Sequence, residues 1–184
     1  MDHAALVGSS RRGELSIDFT LAHPDIVRQL VLVGAVVTGM PYSKHFLDRE
    51  GTDSKHALEL LGKGDVKAAI SEWSKDKYLI APGNDAARNR LFNLLSANPQ
   101  DMCHKDYPLA TKPALPRLHE IRIPTLLLTG DADIPDVHAH AGAIEAGIPN
   151  AHRNVIAGVG HLMYLEKPAT FNQQVISFIQ QNDR

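Results

Sequence analysis

With 184 residues, 43% of them hydrophobic and 22% charged, the chain is long enough for one domain with a buried core and short for two. A formal net charge of -2 leaves no basic excess, which excludes an electrostatic footprint for nucleic acid or an anionic membrane. The lone Cys103 makes neither an internal disulfide nor a zinc-ligand pattern and fits a reducing compartment. The apolar stretches are too short for a signal core or a membrane span, so a soluble cytoplasmic protein is expected.

In chain order, the short apolar run Ala4–Val7, ended by Gly8, reads as a buried strand of a parallel sheet. After Gly13 the period changes: Leu15, Phe19 and Ala22 recur at helical spacing, and His23-Pro24 closes the helix. Val27–Val33, closed by Gly34, is a second strand and completes a βαβ unit. Between residues 38 and 116 the pattern turns helical, with helices expected near Ser54–Leu61, Asp65–Lys75 and Asn84–Ser96. Asp65 and Asn84 suit the N-cap position, and Pro108, Pro113 and Pro116 mark an irregular return. An insertion of this length between two strands is expected to be a helical cap within a single domain spanning 1–184.

Alternation then resumes. Pro124–Thr129 is a third strand, stopped by Gly130-Asp131, and Pro135–Ala146 is a helix with proline in its first turn and Gly147 past its end. His152–Ala157 is a weaker fourth strand. Pro168–Gln181 is a final amphipathic helix whose inner face holds Phe171, Val175, Ile176, Phe178 and Ile179.

A strand that runs through Gly8-Ser9-Ser10-Arg11-Arg12-Gly13 into a helix suits a nucleophile elbow, in which a sharp turn lifts a serine hydroxyl above the sheet edge. The competing reading is that Ser9 and Ser10 only cap the helix. Two further loops bear on the choice. Strand Pro124–Thr129 leads into Gly130-Asp131-Ala132-Asp133, and strand His152–Ala157 leads into Gly158-Val159-Gly160-His161. In a parallel sheet these loops share one edge with Ser10, and the order Ser, Asp, His is one in which a nucleophile, an orienting acid and a base occur. The first turn is not a dinucleotide fingerprint, because Ser10 stands where a glycine is needed. His138 and His140, two apart on a helix, point to different faces and do not form a metal site.

These segments resemble the α/β-hydrolase fold family. The likeness is carried by Leu6-Val7-Gly8-x-Ser10-x-x-Gly13, by Phe19-Thr20-Leu21-Ala22-His23-Pro24 and by Val31-Leu32-Val33-Gly34. Pro124 to Asp133 and Gly158-x-Gly160-His161-Leu162-x-x-Leu165-Glu166-x-Pro168 carry the rest. The resemblance implies a partial α/β-hydrolase fold: a mostly parallel sheet of about four strands, flanked by helices, with the 38–116 cap inserted. It also implies a serine hydrolase without cofactor or metal, acting on a small ester or related carbonyl substrate. Ser10 would be the nucleophile, His161 the base and Asp133 the acid, with Asp131 as the competitor for that last role. The Arg11 backbone amide would serve the oxyanion hole.

Two features depart from the family pattern. Arg12 stands where G-x-S-x-G has glycine, which implies a strained side chain at the elbow. Only Met1, Asp2 and His3 precede the first strand, where the family has several strands and a loop that donates a second oxyanion amide. A truncated chain of weak activity is therefore expected, with an exposed apolar first strand through which it self-associates. The alternative function is a non-catalytic remnant acting as a binding or self-associating module.

Overall fold

Short apolar runs, too brief for helices, form the inner strands around which everything else is laid. The structure is a computed structural model that describes residues 3–49, 55–102 and 112–183. Its four strands are β1 (Ala4–Ser9), β2 (Val27–Val33), β3 (Thr125–Gly130) and β4 (Ala151–Ile156). They form one sheet in the order β1-β2-β3-β4, all parallel. One row across it runs Val7, Val31, Leu126, His152. Because every pairing is parallel, the loops that leave the four strands emerge at one edge.

The two inner strands are covered on both faces, and their side chains divide by the period of two. Leu30, Leu32 and Leu127 face α1 (Arg11–Ala22) and α6 (Pro135–Gly147), meeting Ile17, Ala141 and Ile144. Val31, Val33, Leu126 and Leu128 face α7 (Met163–Glu166) and α8 (Pro168–Gln181), meeting Met163 and Val175. This is the α/β architecture with a four-stranded parallel sheet that the alternation of elements implies.

Three sequence expectations change. β1 is not buried on both faces: it is the edge strand, Ala5 is exposed and Val7 is 50% exposed. An apolar run shows that a strand can be buried, whereas actual burial depends on a neighbour, and among the described residues none lies beyond β1. On α1 the buried stripe is Gly13, Ile17 and Thr20, while Leu15 and Phe19 are exposed. On α8, Ile176 is 53% exposed; it lies about 100° around the helix from Val175 and so leaves the stripe of Phe171, Val175, Phe178 and Ile179.

Between β2 and β3 the chain forms α2 (Lys44–Arg49), α3 (Lys55–Gly62), α4 (Val66–Ser74) and α5 (Asp85–Ala97), followed by short 3-10 turns. Asp65 and Asn84 cap α4 and α5 by accepting from the amides of Ala68 and Ala87. Helix α2 has no counterpart in the sequence expectations, although the Ser43 hydroxyl accepts from the Phe46 amide at its start. Ser54, Cys103 and Pro108 lie outside the described residues. Among the described residues no helix is long and apolar enough to cross a membrane.

Candidate active site

Ser10 occupies the corner between β1 and α1, and its backbone is its most informative feature. Its φ of 54° makes it the one non-glycine with positive φ among the described residues. A side chain in that region costs roughly 1–3 kcal/mol, and such strain collects at functional sites. The Ser10 hydroxyl makes no capping bond to α1, so the helix-cap reading does not describe it. Its amide instead donates to the Val33 carbonyl at 2.8 Å, which ties the corner to the end of β2.

Two glycines allow the strand and helix backbones to meet here. A β-carbon on Gly8 would stand 2.6 Å from the Arg12 carbonyl oxygen and 2.8 Å from Gly13 Cα, and one on Gly13 would stand 2.5 Å from Ala35 Cβ. Close approach therefore falls at Gly8 and Gly13. Arg12 points into solvent, so the side-chain strain expected from its departure from G-x-S-x-G does not arise. Arg11 opens α1, at the end of the helix where first-turn amides have no intrahelical acceptor.

At the far side of the same edge, the loops after β3 and β4 bring Asp133 and His161 together. His161 Nδ1 lies 2.8 Å from Asp133 Oδ1, and the two residues are 5% and 3% exposed. The same Asp133 oxygen accepts from the Ile134 amide at 2.7 Å. With its Nδ1 proton directed at the carboxylate, the imidazole keeps the Nε2 lone pair available. Asp131 does something different. Its Oδ1 accepts from the amides of Gly158 and Val159 at 2.7 and 3.2 Å, so it shapes the loop that carries His161. Those amides hold its carboxyl below the ordinary carboxylate range.

No family model matches the chain. A 2-hydroxy-6-oxononadienedioate/2-hydroxy-6-oxononatrienedioate hydrolase of Paraburkholderia phymatum is 30% identical over 196 residues, covering 98% of this chain and 64% of that protein. A Bacillus subtilis protein named as the uncharacterized carboxylesterase nap is 23% identical over 181 residues, covering 97% of this chain and 57% of its own. The structure of MenH from S. aureus aligns with a TM-score of 0.75 and 22% identity, over 99% of this chain and 70% of that one. The chain has the α/β-hydrolase fold. It spans less than two thirds of the length of either curated relative.

Within this α/β-hydrolase fold, two residues that sequence reasoning passed over hold the site. Gly34, read only as the end of β2, has a φ of 54°, and a β-carbon on it would stand 2.8 Å from both Nδ1 and Cε1 of His161. A glycine closing a central strand was the available signal. Glu166, quoted only as part of a motif, accepts from the Gly160 amide beside His161 at 2.6 Å. Beside Asp133 lies an open cleft of about 540 Å³, lined by Lys77, Tyr78, Pro82, Asp131, Asp133 and His138 among others. Its lining does not include Ser10 or His161, so it adjoins the Asp133–His161 pair from the Asp133 side. His138 and His140 diverge on α6: His138 Nδ1 is 2.8 Å from the Arg153 guanidinium, while buried His140 accepts from the Val37 amide. Burial pushes His140 below the usual histidine range, although Asp136 opposes this.

Proposed function

We propose that the protein is a cofactor-free serine hydrolase acting on a small ester or related carbonyl compound, with Ser10 as nucleophile, His161 as base and Asp133 as orienting acid. The observation that carries this reading is the positive φ of Ser10, a strained backbone at a strand-to-helix corner whose side chain does no capping. The buried Asp133–His161 contact on the same sheet edge supports it, as do the hydrolase and carboxylesterase names of the relatives.

On this reading the steps are those of acyl transfer. Ser10 Oγ adds to the substrate carbonyl carbon as His161 Nε2 takes its proton, and Asp133 stabilises the resulting imidazolium. The carbonyl electron pair moves onto oxygen, where the Arg11 amide and the N-terminal field of α1 meet the developing charge. As the carbonyl re-forms, the leaving group departs with the proton from His161. A water, deprotonated by the same Nε2, then attacks the acyl-Ser10 ester and releases the acid and free Ser10. The 38–116 segment acts as the cap and shapes the acyl or leaving-group pocket.

A fluorophosphonate probe tests the reading directly. It labels Ser10 and no other serine, and His161→Ala abolishes labelling while circular dichroism shows an intact fold. Modification of Ser9, or labelling that survives the loss of His161, refutes the assignment.

One observation favours a second reading, that of a non-catalytic self-associating module: β1 is an exposed apolar edge with Val7 half in solvent. An oligomeric chain that never labels at Ser10, and that Val7→Lys converts to a monomer, selects this reading over the hydrolase.

A further inference from the structure

We infer that Glu166 is a positioning residue, a strut through which the cap sets the place of the loop that carries His161. The inference rests on the base role proposed for His161. Glu166 ends α7 and is half-buried, with both carboxylate oxygens engaged. Oε1 accepts from the Gly160 amide at 2.6 Å, next to His161. Oε2 accepts from the Ala81 amide at 3.0 Å and from Asn84 Nδ2 at 3.1 Å, both in the cap. One charged group thus takes three donors from two separate parts of the chain. Only a carboxylate is acceptor on both arms; a glutamine must turn its NH₂ toward at least one donor.

The surrounding contacts make this link stiff. The amides of His161 and Leu162 donate to the carbonyls of Tyr78 and Leu79 at 2.7 and 2.9 Å. A β-carbon on Gly160 would stand 2.5 Å from the Tyr78 carbonyl oxygen, so the two backbones touch. On its other side, the 74–80 segment is gripped by Arg88 of α5, which donates to the carbonyls of Ser74 and Ile80. Leu162 packs among Leu79, Ile80, Ala87 and Leu91. Asn84 completes the frame, since its Oδ1 caps α5 while its Nδ2 meets Glu166. Displacement of the cap by a bound molecule therefore acts on the His161 loop, and by linkage the state of that loop acts on the cap.

The decisive perturbation is made in the cap and read at the histidine. Asn84→Asp keeps an oxygen to cap α5 but replaces the donor facing Glu166 with a like charge, and the side-chain bonds of residue 84 are to Glu166 and Ala87 rather than to Gly160 or His161. Glu166→Gln attacks the strut from its centre. Hydrogen exchange on the full chain is expected to accelerate about tenfold or more in both 78–84 and 158–162 for each variant, with β2 and β3 unchanged. Fluorophosphonate labelling of Ser10, followed against pH, is expected to lose about tenfold or more in plateau rate and to shift its inflection, with half-saturating probe concentration unchanged. Asn84→Asp that loosens 78–84 alone overturns the inference, as does an unchanged plateau and inflection in Glu166→Gln. A wild-type chain that does not label refutes the hydrolase reading instead, and exchange in 158–162 then still decides whether the strut exists.

Discussion

Replacing Gly34 by alanine adds one methyl group at the point where the sheet meets the proposed base. The new carbon would stand 2.8 Å from Cε1 and Nδ1 of His161 and 3.2 Å from Asp133 Oδ2. Carbon contacts are ordinarily about 3.5–4.0 Å, so the imidazole must retreat by roughly 0.7–1.2 Å. Two costs add. The φ of 54° costs an alanine about 1–2 kcal/mol, and crowding a packed site costs about 1–3 kcal/mol more. For a domain of this size each kcal/mol moves the thermal midpoint by about 2–4 °C, so a fall on the order of 10 °C is expected. A displacement of about 1 Å at a reacting group costs about 10²-fold in rate, to be read as Ser10 labelling at a temperature where the variant is folded. Gly142→Ala is the matched control: nothing lies within 4 Å of its β-carbon in α6, so the same methyl should stabilise by about 0.5–1 kcal/mol. A Gly34→Ala chain whose midpoint lies within about 2 °C of wild type, or whose labelling is within about twofold, would refute this reasoning.

Asp133→Asn should slow Ser10 labelling by about 10⁴-fold by favouring the wrong imidazole tautomer, while Asp131→Asn keeps an oxygen for the Gly158 and Val159 amides and should cost under about tenfold. The reverse order would make Asp131 the acid. Because Arg12 is solvent-facing on a helix, Arg12→Gly should lower stability by about 0.5–1 kcal/mol in urea unfolding; a gain would restore the strain argument. Burial depresses His140, so the unfolded chain takes up a proton first as pH falls. Its contribution is complete above the unfolded value of about 6.5 and is lost as pH falls from there toward the lower folded value. His140→Gln, whose amide oxygen can accept from Val37, should flatten that slope, and an unchanged slope would assign it to another group.

Much of the fold is legible in the sequence because the signals are local. Apolar runs closed by Gly8, Gly34 and Gly130 locate three strands, and the N-capping chemistry of Asp65 and Asn84 locates helices α4 and α5. Parallel strands joined by helices must release their loops at one edge, so their order in the chain alone puts Ser10, Asp133 and His161 there. Tertiary structure alone decided the rest, because each remaining question concerns which distant groups come into contact. Asp131 and Asp133 are two residues apart in one loop, and their contacts differ because of where the loop after β4 lies: Asp133 meets His161, while Asp131 meets the amides of Gly158 and Val159. Val7, Ile176 and Arg12 are exposed or harmless because of what does or does not pack against them. Gly34 and Glu166 matter because the loop that carries His161 folds back against both, with the imidazole against Gly34 and the Gly160 amide against Glu166. Hydrogen bonding and periodicity along the chain determine the elements, whereas burial, strain and the choice of carboxylate depend on neighbours that only the folded chain supplies.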